Sequence, residues 1–290
     1  MIVAPIPALL TRLVDSATSD LDGRLIEVID GHRRHQQAWY GGLMGLVVVR
    51  ASTITELARS DAARGLDVTV IADTGIDRLA AAIDALTGLG ARVERAEAAV
   101  AKRGEDPSPG VRHLLDVAQG LRESGHDLTV HAEIPLTSGL HDALDLLAEA
   151  SASLAVGATF RVGGLAGELF PPPAVLAGVI CACRDREVRF SVGAGLDRAL
   201  RHNDHETGFA HHGVLNVLTA CLSAALGATQ AAVADRLASN DPVLLAEVTH
   251  AARDQSRPLW TSYVTARVED LVHDLTLFDV LSTESDNPVS

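Results

Sequence analysis

Aromatic residues are scarce, at 3% of 290 positions. The apolar mass is Ala, Val and Leu, which suits helices packed closely on a sheet. Cysteine is also rare. Cys181, Cys183 and Cys221 make an odd number, and the first two stand too close in sequence to staple a fold. They read as reduced thiols of a cytoplasmic protein, used for packing rather than as ligands or nucleophiles. A concentrated basic face is missing. With a formal net charge of −14 and no Lys/Arg cluster, neither nucleic acid nor an anionic membrane is an expected partner. Nor is there an apolar run fit to span a bilayer, since the longest, around GVLNVLTACLSAALGA, is interrupted by Asn216, Thr219 and Ser223. The opening MIVAPIPALLTRLVDSATSD lacks the basic start and long apolar stretch of a secretory signal. No nucleophile elbow, P-loop, dinucleotide fingerprint or HEXXH is present.

What the chain does have is a large potential core, with 47% hydrophobic and 21% charged residues. Short β-rich runs alternate with longer helical ones. Strands are expected at 45–50, 67–73, 91–98, 127–134, 158–163 and 188–194. Two weaker ones are expected at 213–216 (GVLN) and 259–265 (LWTSYVT). Helical stretches lie between them, from TITELARSDAARG to PPPAVLAGVICACRDRE. Gly65, Gly90 and Gly125 are placed to end helices, and Ser52 and Thr53 to cap the helix after the first strand. Repeated strand–helix units imply a parallel sheet with right-handed crossovers. Eight of them over this length predict an α/β fold of the (β/α)8 TIM-like barrel type; the alternative is an open doubly wound parallel sheet. Residues 1–281 read as one barrel domain. It includes a helical lead-in over 1–40, with helices near 5–15 and 24–40, and 282–290 read as a polar tail.

Strand alternation locates the chemistry. In TVHAEI, Val130, Ala132 and Ile134 form the helix-facing set, so Thr129, His131 and Glu133 point into the barrel. By the same rule Thr159, Arg161 and Gly163 point inward from the next strand, and Arg189, Ser191 and Gly193 from the one after. Asp73, Arg50 and Glu97 fall at the ends of earlier strands. Adjacent strands thus gather His131, Glu133, Arg161 and Ser191 into one patch, where a Glu133–Arg161 pair would compensate buried charge. The pair reads either as a plug in the barrel or as a site, with Arg161 holding an anion while Glu133 or His131 moves protons. Gly163, Gly164 and Gly195 follow strands and would allow close backbone approach, to a ligand or in ordinary turns. His202, Asp204, His205, His211 and His212 crowd one polar loop and are suitable metal-ligand types, although their spacing matches no specific metal motif. His212 and Asn216 flank the barrel mouth if 213–216 is a strand, and share a helix face if 213–227 is a helix.

Four stretches, FRVGGLAGELFPPP, RFSVGAGLDRALRH, HHGVLNVL and WTSYVTARVEDL, resemble a family of uncharacterised proteins widespread in bacteria and present in plants. Its members carry an Arg-containing strand running into Gly-Gly and Phe-Pro, a Phe-Lys-Ala-Thr-Ala-Gly-Leu-His-His-Pro strand, a His-Gly-Phe-Leu-Asn segment and a late Ser-Phe-Gly-Ser-Cys-Ser stretch. The resemblance covers roughly residues 10–281 and implies a diverged member. Glu133, Arg161, Gly163, Gly164, Gly195, His212, Gly213 and Asn216 match. Ser191 stands where the family has Lys, Asp197, Arg198 and Ala199 where it has His-His-Pro, and Val264, Thr265 and Ala266 replace the late Cys motif. DSATSDLDG replaces an early Asp-Ala-Gly-Leu-Phe-Pro-Pro.

The expectation is therefore a cytoplasmic barrel enzyme of lyase, isomerase or hydrolase type, acting on a small polar or anionic molecule without cofactor or metal. Glu133, His131 and His212 are its candidate catalytic residues. Arg161, Gly163, Gly164, Ser191, Gly195, Asn216, Asp73 and Arg50 are its candidate substrate contacts. Two other readings stay open: a catalytically silent barrel serving as a ligand-binding or assembly subunit, and a metal-dependent hydrolase using loop 202–212. The Ala/Leu-rich helices also permit a homo-oligomer.

Overall fold

The structure, a computed structural model, describes residues 5–17 and 24–282. The N-terminal residues 1–4, most of DSATSDLDG and nearly all of the expected tail lie outside the described residues. Ten strands run in chain order: β1 (Val14–Ser16), β2 (Met44–Arg50), β3 (Asp67–Ile71), β4 (Arg92–Ala99), β5 (Thr129–Glu133), β6 (Val156–Arg161), β7 (Phe190–Ala194), β8 (His202–Asn203), β9 (Ala210–His211) and β10 (Trp260–Thr265). The helices are α1 (Leu25–Gln37), α2 (Ile54–Leu57), α3 (Leu79–Gly88), α4 (Ser108–Glu123), α5 (Leu140–Ala150), α6 (Pro173–Asp185), α7 (Val214–Ala225), α8 (Gln230–Ala238), α9 (Pro242–Ala251) and α10 (Val268–Leu277). Eight parallel strands close a barrel in the order β1-β10-β7-β6-β5-β4-β3-β2, with helices between strands. This is a (β/α)8 barrel, and the open-sheet alternative is excluded. β8 and β9 form a separate antiparallel hairpin.

Two expectations fail together. The 5–15 segment is not a helix: after a 3-10 turn at Ala8–Leu10 it enters the barrel as β1, pairing Val14 with Tyr263 and Met44. Leu9, Leu10, Leu13 and Val14 are all fully buried. A short apolar run of this kind cannot be assigned to helix or strand by periodicity alone. Conversely 213–216 is no strand. Gly213 leads directly into α7, which buries residues on nearly every side, so its continuous apolar start mimics a buried strand. The eighth barrel strand therefore comes from the N-terminal segment. The helix expected from Thr53 shrinks to the single turn α2, because Ser60 accepts a hydrogen bond from Ala62 N and starts a 3-10 turn instead. Ser52 and Thr53 do not cap it; Thr53 Oγ1 donates to Arg50 O. Gly65, Gly90 and Gly125 do take positive φ, as chain-reversing residues after helices and turns.

The outward faces of the strands pack on the helices. Val130, Ala132, Phe160, Phe190 and Val192 belong to this layer, with the two Phe rings 5.6 Å apart. Inward, the N-terminal half of the barrel is filled by a polar cross-brace. Arg95 on β4 forms a buried ion pair with Asp15 on β1, and donates to Ser262 Oγ on β10 at 2.9 Å and Thr69 Oγ1 on β3 at 3.1 Å. Asp15 also accepts from Ser262 Oγ at 2.6 Å and Leu46 N at 2.8 Å. Removing one partner strands the other charge in the interior. Arg95→Met should therefore cost about 3–5 kcal/mol of unfolding free energy by chemical denaturation. A loss near zero would show that the brace does not hold the barrel together.

Candidate functional site

At the C-terminal ends of β5 and β6, Arg161 donates to both oxygens of Glu133, from Nε at 2.8 Å and Nη2 at 3.3 Å. The expected cross-strand pair is formed, but it is not buried: the Arg161 side chain is 52% exposed. The two residues border a cavity of about 290 Å3 closed by Pro135, Leu136, Leu169 and Pro172. Arg103, from the loop after β4, faces the same cavity, with Nη1 held 3.1 Å from Glu168 O. A half-exposed guanidinium and a second one without a described carboxylate partner border a space of small-molecule size.

Deeper in the barrel lies Glu97 of β4, 5% exposed. Thr159 Oγ1 donates to its Oε2 at 2.9 Å, the one hydrogen bond made by this carboxyl among the described residues. Burial and the facing Glu133 carboxylate push its pKa up to about 7, against opposing pulls from Arg95, the Thr159 hydrogen bond and Arg161. Next to it Gly193 leaves room. A Cβ there would lie 3.2 Å from Thr159, 3.9 Å from the Arg161 stem and 4.0 Å from Glu97 Oε1. Glu97 can thus take or give a proton near neutral pH, below the Arg161 stem and without itself bordering the mouth cavity.

His131 does not join the mouth. Its Nδ1 sits 3.1 Å from Ser191 Oγ and 3.3 Å from Thr159 Oγ1, and Ser191 and Thr159 are themselves 2.8 Å apart. The rest of the ring borders a different cavity, at the N-terminal ends of the strands. Burial, with Arg95 and Arg189 nearby, holds His131 neutral well below the usual histidine pKa. Ser191 is buried in the middle layer and offers no surface to a ligand at the mouth.

Other expected site residues make contacts within the scaffold. His212 is fully buried, with Nε2 2.8 Å from Pro171 O, and burial lowers its pKa to about 4. Asn216 accepts from Arg201 N at 2.8 Å and donates to Ser239 O at 2.7 Å and Arg236 O at 3.0 Å, tying α7 to its neighbours. Gly163 and Gly195 touch each other. A Cβ on either would lie 2.5 Å from the other's backbone, and Gly195 has a φ of +99°. Gly164 abuts Leu169. Asp73 accepts from Ser52 N at 3.0 Å and from Ser52 Oγ, so it braces the turn after β2. Arg50 ends β2 beside Ile71, away from Glu133 and Arg161 in strand order.

The metal reading of loop 202–212 is not supported. His202 and His211 stack across the β8–β9 hairpin with ring centroids 5.0 Å apart, and Asp204 is occupied by Thr207 and Glu206 N. Among the described residues no three His, Cys, Asp or Glu side chains converge as metal ligands. Cys181, Cys183 and Cys221 are buried free thiols whose pKa values burial pushes up, the reverse of an activated nucleophile. No described helix is long and apolar enough to cross a membrane.

Comparison with known proteins adds the fold. No family model matches the sequence, and no curated protein sequence matches it. Among solved structures, the deoxyribose phosphate aldolase from Aeropyrum pernix superposes with a TM-score of 0.52 at 10% identity, over 92% of this chain and 91% of that one. A Xanthomonas albilineans dihydropteroate synthase gives 0.45 at 12% identity over 94% of each. The aldolase likeness is one of barrel architecture.

Sequence reasoning did not select Glu97 or Arg103. Glu97 was hidden by a register irregularity. Val93 pairs with Val68 but Arg95 with the next residue, Thr69, so an extra residue at Glu94 flips the alternation along β4. Arg103 lies in a loop, where no period points to a face.

The Glu97 carboxyl gives a pH test. The folded state binds its proton more tightly than the unfolded chain, whose value is near 4.5. Stability therefore falls as pH rises through the window from about 4.5 to about 7, by about 3 kcal/mol from this group. Denaturation of wild type and Glu97→Gln should agree near pH 4 and diverge at pH 8, with the variant the more stable. A pH-independent difference would show that Glu97 titrates normally.

Proposed function

We propose that this protein is a non-redox barrel enzyme of lyase, isomerase or hydrolase type. It takes a small anionic molecule at its C-terminal mouth, and Glu97 moves the proton. The observation that carries this reading is the buried Glu97 carboxyl, separated from the stem of the mouth residue Arg161 by the gap at Gly193, with a pKa near neutrality. Arg161 and Arg103 would receive the anionic group, and Glu133 would orient Arg161 until the ligand competes for it. Superposition on an aldolase supports the architecture and does not transfer its chemistry. A Schiff base needs an amine in the pocket. The chain's only lysine, Lys102, is exposed in the loop after β4, where its backbone N donates to Glu105.

On the same reading the chain is a diverged member of the uncharacterised bacterial and plant family. At Ser191 that family's lysine would project into the layer of Glu97, Thr159 and His131, giving Glu97 a cation. Serine removes it, which fits a carboxyl free to exchange protons. The same loss also favours the second reading, a ligand-binding barrel without turnover.

The test uses a panel of small carboxylates and phosphate esters, followed by thermal shift and by NMR for conversion. Arg161→Met should abolish the stabilisation by the binding compound. It should leave the unliganded protein within about 1 kcal/mol of wild type, because the ion pair is half exposed. Glu97→Gln should keep binding and lose about 100-fold or more in turnover. Stabilisation indifferent to Arg161→Met would refute the mouth as the site. Binding with no conversion by wild type would establish the ligand-binding reading instead.

A further inference from the structure

The larger of the two barrel cavities, about 420 Å3, opens at the N-terminal ends of the strands, opposite the mouth. In a chain of net charge −14 its wall carries four arginines, Arg12, Arg95, Arg189 and Arg257, against two acids, Asp15 and Glu94. Both acids are already spoken for. Asp15 is taken by Arg95, Ser262 and Leu46 N, while Glu94 is held by Arg12 at 2.5 Å and by Arg92 at 2.9 Å.

Two cations remain without a counter-charge. Arg257 spends its guanidinium on main-chain carbonyls, among them Leu9 O at 2.6 Å, Trp260 O at 2.8 Å and Thr11 O at 3.2 Å, and meets no described carboxylate. Burial and the neighbouring Arg189 pull its pKa down to about 10, against a weaker opposing pull from Asp15. Arg189, exposed at the rim, makes no side-chain hydrogen bond or ion pair with any described residue. His131 forms part of the wall. The Ser191 and Thr159 hydroxyls occupy its Nδ1 side, 3.1 and 3.3 Å away. Gly157 gives the ring its space, since a Cβ there would lie 2.7 Å from Nε2.

We propose that this N-terminal cavity is a binding site for a small oxyanion, a phosphate or carboxylate group, received by Arg189 and by the field of Arg257. It is separate from the mouth and does not depend on the reaction assigned there. An anion in it would bring a counter-charge to both guanidinium groups and give the exposed Arg189 a charge-assisted hydrogen bond.

The probe is inorganic phosphate, titrated in low-chloride buffer and read by thermal shift and by the NMR signals of the His131 ring. Wild type and the mouth variant Arg161→Met should both be stabilised and show the His131 signals moving. Arg189→Gln, a rim change that leaves the core untouched, should bind at least about tenfold more weakly. The proposal is overturned if phosphate acts equally on Arg189→Gln, if Arg161→Met alone removes the effect, or if the His131 signals stay still at saturation.

Discussion

The interior of this barrel is organised by one buried ion pair, Arg95 with Asp15. A guanidinium inside a closed sheet must be neutralised and hydrogen-bonded, or the sheet will not close around it. Here the compensation spans β4, β3, β1 and β10, so electrostatic satisfaction and barrel closure are the same event. Because this lower layer is complete, it leaves no acid for the cations at the N-terminal rim and little cation for Glu97 above. The two unsatisfied regions of the interior, one positive and one acidic, both follow from how the central pair is used.

Much of the fold was legible. Six strands from β2 to β7 stood out as β-rich runs between helical stretches, and the last strand β10 was legible as a weaker one. On β5 and β6 the apolar Val130, Ala132 and Phe160 marked the helix-facing side, opposite Glu133 and Arg161. What escaped has physical causes. β1 is three residues long and sits in an apolar leader that also suits a helix. The start of α7 is apolar all round because the helix is enclosed by α6, α8 and α9. The irregularity in β4 reverses alternation halfway along the strand, so Glu97 looked like a strand end when it is an interior group. His131 was correctly expected inside, but a period-two argument fixes the face and not the height. Its ring serves the opposite cavity.

The candidate site residues drawn from loops fared differently from those drawn from strands. Gly163 and Gly195 exist to let two loops pass at backbone contact, His212 to hold the main chain at Pro171, and Asn216 to tie α7 to the ends of α8 and of the segment before it. These are the demands of threading loop 162–172 beneath the β8–β9 hairpin, where Phe170 packs on His211 and Phe209.

The closure between β1 and β10 also bears on synthesis at the ribosome. β1 emerges first, but its partner β10 follows the whole excursion through β8, β9, α7, α8 and α9, and Arg257, which grips the carbonyls of Leu9 and Thr11, emerges with it. Until then the nascent sheet has two bare edges, β1 and β7, and Arg95 lacks Ser262. Such a high-separation contact makes closure late and exposes unpaired strand edges meanwhile. A chain cut short before Trp260 would accordingly be an open, adhesive sheet rather than a smaller barrel, one that needs shielding from its own copies until the last strand arrives.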